Sequence, residues 1–135
     1  EIISKFIKDI SFEIPSSETF VTLEKEVSKY NLIFDISSKS FKEKIIEVNT
    51  ILKLVAKEEV KKRIHVEITV TALVIFEAVS TNKELLEKII LTKVPVDVYP
   101  ILYDTFIYLF KKSGIKNVSI KKEVDFEKLY YERKK

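Results

Sequence analysis

Cysteine, methionine and tryptophan are missing from this 135-residue chain; glycine and histidine occur once each and proline three times. Each gap closes off a chemistry. Without cysteine there are no disulfides, no thiolate nucleophiles and no cysteine-based zinc sets, which fits a reducing compartment. The single glycine, Gly114, leaves no glycine-rich loop to cradle a phosphate or dinucleotide. His65 is the only imidazole, so a serine triad would have to be built on it. It falls on the polar side of an alternating segment, two residues before Glu67, where a histidine is an ordinary surface residue. The expectation is a protein that is not an enzyme and uses no cofactor or metal. Position 1 is not methionine, and the chain is read as lacking its first residues.

Long apolar runs are also missing. The most apolar stretch, Val94 to Phe110, is broken by Asp97, Pro100 and Asp104, so nothing reads as a bilayer span, and no signal peptide is visible. Nor does one sign of charge dominate. The 24 basic and 21 acidic residues leave +3, too even for a nucleic-acid surface. These absences lead to the expectation of a cytoplasmic protein that neither binds nucleic acid nor sits in a membrane. What is present is 46% apolar and 33% charged residues, enough for one folded domain over 1–135 with a core of its own.

The pattern begins with period two. In Ser4 to Ile14, Phe6, Ile10, Phe12 and Ile14 fall on one face with Lys8 as the exception, and Ile7, Asp9, Ser11 and Glu13 on the other. Pro15, Ser16 and Ser17 end that strand. Glu18 to Tyr30 fits either a helix, with Phe20, Leu23, Val27 and Tyr30 at helical spacing, or a structured crossover loop. A short second strand is carried by Leu32, Phe34 and Ile36, alternating with Asn31, Ile33 and Asp35. A third spans about Lys44 to Lys57, and Lys57 to Lys62 is a hairpin connection to the fourth. That fourth strand alternates most cleanly, with Ile64, Val66, Ile68, Val70, Ala72, Val74 and Phe76 on its apolar face.

Then the period changes. Thr81 and Glu84 have capping-box spacing, and Leu85, Leu86, Ile89 and Ile90 make a helical stripe that Pro95 is expected to interrupt. A longer helix follows from about Val96 to Ser113, stopped by Gly114. An extended piece, Asn117 to Val124, leads to Asp125, which caps a last helix, Phe126 to Arg133. Strands first and helices after is the α+β pattern, with a four-stranded antiparallel sheet covered on one face.

The long helix is unusual. From Val98 to Phe110 only Asp104 and Thr105 are polar, so apolar side chains point nearly every way. A helix on one sheet buries one side. Either the other side is covered within the chain, or it meets another subunit, for which symmetric closed assemblies are the rule. Of the carboxylates, Asp9 and Glu13 share a strand face at about 13 Å, too far for a glycosidase pair.

Three segments carry a family resemblance. Ile7-Lys8-Asp9-Ile10-Ser11-Phe12-Glu13 resembles the opening strand of the SecB chaperones. Val94-Pro95-Val96 through Tyr99-Pro100-Ile101 is similar to the segment leading into their long helix, and Val124-Asp125-Phe126 with Leu129 to their C-terminal signature. The resemblance implies the same sheet with helices on one face, and a homotetramer, a dimer of dimers. It implies ATP-independent holding of unfolded client polypeptides for export. Its client grooves map to Leu32, Phe34, Ile36, Phe126, Leu129 and Tyr130. Its docking face for the SecA motor maps to Asp9, Glu13 and Glu67, with His65 where the family carries a leucine. The subunit interface on the long helix is expected at Tyr99, Leu102, Phe106, Leu109 and Phe110. The alternatives are a SecB-like chaperone dedicated to one partner, such as an antitoxin of a toxin–antitoxin pair, and a small-ligand site, which would need a concave pocket holding Asp9 or Glu13.

Overall fold

The computed structural model describes residues 1–26, 30–56, 63–75, 83–115 and 120–134. Among them the elements run β1 (Ile2–Glu13), α1 (Ser17–Glu26), β2 (Tyr30–Lys42), β3 (Ile45–Ala56), β4 (His65–Ile75), α2 (Lys83–Lys112) and α3 (Phe126–Lys134). The strands form one antiparallel sheet in the order β1-β4-β3-β2. The α+β architecture expected from the sequence is therefore the one observed.

Alternation decides which face is covered. Val66, Ile68, Val70 and Ala72 of β4 lie across from Leu54, Leu52, Thr50 and Val48 of β3, and this face is buried under α2. Val98, Leu102, Phe106 and Phe110 of α2 complete the core. Each such side chain contributes about 1.5–3 kcal/mol by leaving water. Thr50 is the exception, a buried hydroxyl with no partner among the described residues.

β1 corrects the first alternation. Phe12 and Ile10 face α2 beside Val66 and Ile68, as expected, but the register shifts between Ile7 and Asp9. Lys8 is the extra residue of a β-bulge, which reverses the two faces before it. Ile7 and Lys5 therefore sit on the helix side, opposite Val70 and Ala72, and Phe6 on the outer side, opposite Thr71. Lys5 confirms the flip by reaching Asp97 of α2 at 2.9 Å.

β2 is longer than expected, because pairing with β3 continues through the polar run Ser37 to Lys42. A turn at Glu43 and Lys44, with Lys44 at φ 65, joins the two strands. The ambiguous stretch resolves as helix over Ser17–Glu26, N-capped by Ser16, whose Oγ accepts from the Thr19 amide at 3.1 Å. Its Val27 lies outside the described residues, as do the hairpin Lys57 to Lys62, Phe76, Thr81 and the start of the Asn117 segment. From residue 120 to 124 the backbone is irregular rather than strand.

Pro95 does not interrupt the long helix. α2 runs unbroken through both Pro95 and Pro100. Each proline removes one N–H, leaving the carbonyls of Leu91 and Val96 without their usual donors. The neighbours Val94, Val98 and Tyr99 are buried, and this packing offsets the loss. The helix ends at Gly114 (φ 89) in a Schellman motif, where Ile115 N donates to Phe110 O at 3.1 Å and Gly114 N to Lys111 O at 3.2 Å. Asp125 caps α3 as expected, its Oδ1 accepting from the Lys128 amide at 2.9 Å. No helix of the described residues is long and apolar enough to cross a membrane.

Candidate functional site

A cleft of about 650 Å³ opens between the edge strand β2 and helix α3. Leu32, Phe34 and Ile36 form one wall because alternate residues of a strand share a face. Phe126, Leu129 and Tyr130, three and four residues apart on α3, form the other. Leu91 and Tyr99 of α2 lie at the base, and Ile120, Lys121 and Val124 close one end. All six positions expected to share a groove thus border one cleft. Among the described residues Lys121 is the only charged one of the lining.

Three rings build the base. Phe34 meets Phe126 edge-on with centroids 5.1 Å apart, and Tyr99 lies 5.8 Å from Phe34 and 6.0 Å from Phe126. The Tyr99 hydroxyl donates to the Lys121 carbonyl and so ties the wall segment to α2. Burial raises the Tyr99 pKa, which keeps this hydroxyl a donor. Lys88 of α2 braces α3, reaching Glu127 at 3.7 Å and lying over the Tyr131 ring at 5.3 Å. The base is buried at Tyr99 and Phe126 while the rim is open. Phe126 is 2% exposed but Leu129 is 42% exposed, and Leu32, Phe34 and Ile36 are half-buried.

The four residues assigned to partner docking lie on the opposite, outer face of the sheet. Glu13 stands directly across from His65, Asp9 from Thr69, and Glu67 between Ser11 and Lys53. None borders the cleft, so the pocket required by a small-ligand reading of Asp9 or Glu13 is not the one found. Farther along this face Thr71 Oγ1 donates to Asn49 Oδ1 at 2.6 Å, and Asn49 Nδ2 to Glu47 Oε2 at 3.1 Å. The Asn49 bond, together with Lys39 and Lys8 at 3.4 and 3.8 Å, lowers the Glu47 pKa. Among the described residues no group of acidic and imidazole side chains could hold a metal.

The interface expected on the long helix needs correction. Tyr99, Leu102, Phe106 and Phe110 are buried in the chain's own core, with Phe110 edge-on to Phe12 of β1 at 5.2 Å. Leu109 is half-buried. The sequence showed a helix apolar all round but not which side met the sheet. The side turned to solvent carries Val96 and Tyr108, 56% and 59% exposed, with Tyr103 and Ile107 half-buried between them. Leu91, Tyr99, Ile120, Lys121 and Val124 were not expected at the cleft. Lys121 aside, their apolar character was visible, but it does not separate a cleft base from a core.

The family model described as SecB, preprotein translocase subunit SecB, matches residues 1–135. A protein of Pelagibacter ubique (strain HTCC1062) named "Putative protein-export protein SecB" is 45% identical over 134 residues, covering 98% of this chain and 95% of that protein. Among solved structures, the Mycobacterium tuberculosis Rv1957 SecB-like chaperone, in complex with a ChAD peptide from the Rv1956 HigA1 antitoxin, superposes with a TM-score of 0.67. That match covers 92% of this chain and 87% of the other at 11% identity, a likeness of fold.

Proposed function

Because the chain belongs to the SecB family of protein-export chaperones, we propose that it holds unfolded polypeptides by laying their apolar segments in the cleft between β2 and α3. The observation that carries this reading is the cleft itself. It has an aromatic base, an exposed apolar rim at Leu129 and, among the described residues, one charge in its lining. Such a surface accepts many apolar sequences and offers no group for chemistry. Each cleft binds weakly. Affinity comes from several clefts on one assembly, because the first contact raises the local concentration of client for the next.

The assembly is a homotetramer, a dimer of dimers, acting in the cytoplasm. Two surfaces support it. The outer side of α2 carries Val96, Tyr103, Ile107 and Tyr108, and the free edge of β1 carries exposed Ile3, Phe6, Ile7 and Ile10. An apolar edge strand left in water would pair with another chain.

The test is aggregation of a chemically denatured client diluted into buffer. One tetramer per client will suppress light scattering without ATP, over several unrelated clients. Unchanged scattering would end the holdase reading, and suppression of a single client alone would favour the dedicated-chaperone alternative.

The outer face is proposed as the SecA docking surface, through Asp9, Glu13, His65 and Glu67. Asp9→Lys with Glu13→Lys will remove SecA binding in a pull-down, at a stability change within about 0.5 kcal/mol for exposed positions. Client holding will be unaffected, since the cleft is on the other face. Loss of holding in this variant would show that the two faces do not act separately.

A further inference from the structure

We propose that the first half of β1 has two registers of similar energy, and that the Lys8 bulge, clasped by Glu47, selects which side chains this edge of the sheet presents. The device lies at the opposite edge of the sheet from the cleft and does not depend on how clients are held.

Slack at two points makes the shift local. Among the described residues β1 is an outermost strand that pairs with β4 alone. Its register is irregular between Ile2 and Ser4 and again between Ile7 and Asp9, so Ser4 to Ile7 is bounded by one extra residue on each side. Sliding this stretch by one residue closes the bulge at Lys8 and widens the one at Ile3. Neither end has to move. Glu1 keeps its hydrogen bonds with Ile75, at 2.9 and 3.0 Å, and Asp9 stays opposite Thr69.

The two registers exchange faces. As observed, Lys5 and Ile7 stand opposite Ala72 and Val70 on the helix side, and Phe6 stands opposite Thr71 on the outer side. Slid by one, Phe6 and Lys8 take the places opposite Ala72 and Val70, and Ile7 takes the outer one. That is the alternation the sequence alone favours. The number of paired residues is unchanged, since Ser4 leaves the ladder as Lys8 joins it. Phe6 and Ile7 are 43% and 45% exposed, so trading them moves similar amounts of apolar surface.

Two ion pairs then hold the balance. Lys5 reaches Asp97 of α2 at 2.9 Å, and Lys8 reaches Glu47 at 3.8 Å. Both need the observed register, because sliding turns Lys5 to the outer side and Lys8 to the helix side. Pairs this exposed shift an equilibrium by no more than about fivefold each. Glu47 is the fixed member of its pair. Its side chain is 13% exposed, it accepts from Asn49 and it also meets Lys39. Asn49 in turn accepts from Thr71, the residue opposite Phe6. A chain that meets this edge finds either Ile7 or Phe6 on the helix side, and a partner that prefers one draws the equilibrium toward it.

The test is backbone amide NMR of the whole chain. Glu47→Gln removes the ion pair to Lys8 and keeps an oxygen for Asn49. A second set of signals from Ser4 to Lys8 will rise at least about twofold over the parent, with Phe6 contacting Ala72 across the strands in place of Thr71. Ile10 to Glu13 will keep one set. Deleting Lys8 removes the slack, since Ile7 opposite Val70 is then followed directly by Asp9 opposite Thr69. That variant will fold and show one set of signals, with or without Glu47→Gln. A single set in Glu47→Gln, with Phe6 still against Thr71, overturns the proposal. So does doubling that spreads to Glu13, which is fraying of the whole strand. Doubling that survives the deletion, or a deletion variant that does not fold, overturns it as well.

Discussion

A Leu129→Asp variant will fold as the parent does and fail to hold denatured polypeptide. Leu129 lies on the exposed side of α3, at the rim of the cleft, and is 42% exposed. Aspartate there keeps its hydration in the free protein, so stability shifts by no more than about 1 kcal/mol, mostly from helix propensity. The bound state is different. An apolar client segment seated across the rim would strip water from the new carboxylate with nothing to pair it. Burying an unpaired polar group costs on the order of 2–7 kcal/mol, and an unpaired charge costs more. Even the lower end weakens each contact roughly thirtyfold. The loss compounds across linked clefts, since each contact sets the next one's local concentration. Scattering of a denatured client should therefore rise to the level seen without chaperone, while the thermal midpoint by circular dichroism stays within a few degrees. Full suppression by this variant would remove the cleft from the mechanism.

The second large effect separates the two sides of α2. Phe106→Asp will unfold the chain, whereas Tyr108→Asp will leave it folded and break the assembly. Phe106 is 0% exposed and stacks against Phe110 with centroids 4.5 Å apart. Removing a buried phenylalanine side chain costs about 3–5 kcal/mol, before any charge is forced into the space. Total stability for a domain is about 5–15 kcal/mol, so the folded state is lost or nearly so. Tyr108 is 59% exposed, two residues along the helix and on its outer side. A carboxylate there costs the single chain little and places a charge in any apolar contact between copies. Sedimentation should show the proposed tetramer falling to smaller folded species, with far-ultraviolet signal unchanged. If Phe106→Asp gives folded monomers, the assignment of the helix's two sides is reversed.

The strands were legible where alternation was clean. In β4 the even positions from Val66 to Val74 are buried, as their period required, and in β3 Val48, Thr50 and Leu52 are buried on the same face, with Ile46, Leu54 and Ala56 half-buried. Lys8 broke the pattern of the first strand, and that break was the bulge. A bulge is one unpaired residue, so only the partner strand reveals whether a polar residue among apolar ones is an exception or a change of phase. The caps were legible too, because Asp125 and Gly114 act on their own neighbours. Pro95 misled, since its local cost is visible in the sequence and the packing that offsets it is not.

At the cleft, the second-strand and last-helix residues were found through resemblance and alternation, while Tyr99 was assigned to the wrong contact. It lies among apolar neighbours in every direction, and nothing in the chain order says that its ring meets Phe34 and Phe126.

Local chemistry alone set the class of this protein. Missing cysteine, a single glycine and a single histidine removed most catalytic designs, and the order of strand-like and helix-like periods set an α+β chain, because periodicity and turn chemistry act between neighbours in sequence. Which side of α2 meets the sheet, where β1 reverses its faces, and that β2 and α3 stand apart far enough to leave a cleft were settled only by the tertiary structure. Those outcomes depend on contacts between residues distant along the chain, whose energies no local window contains.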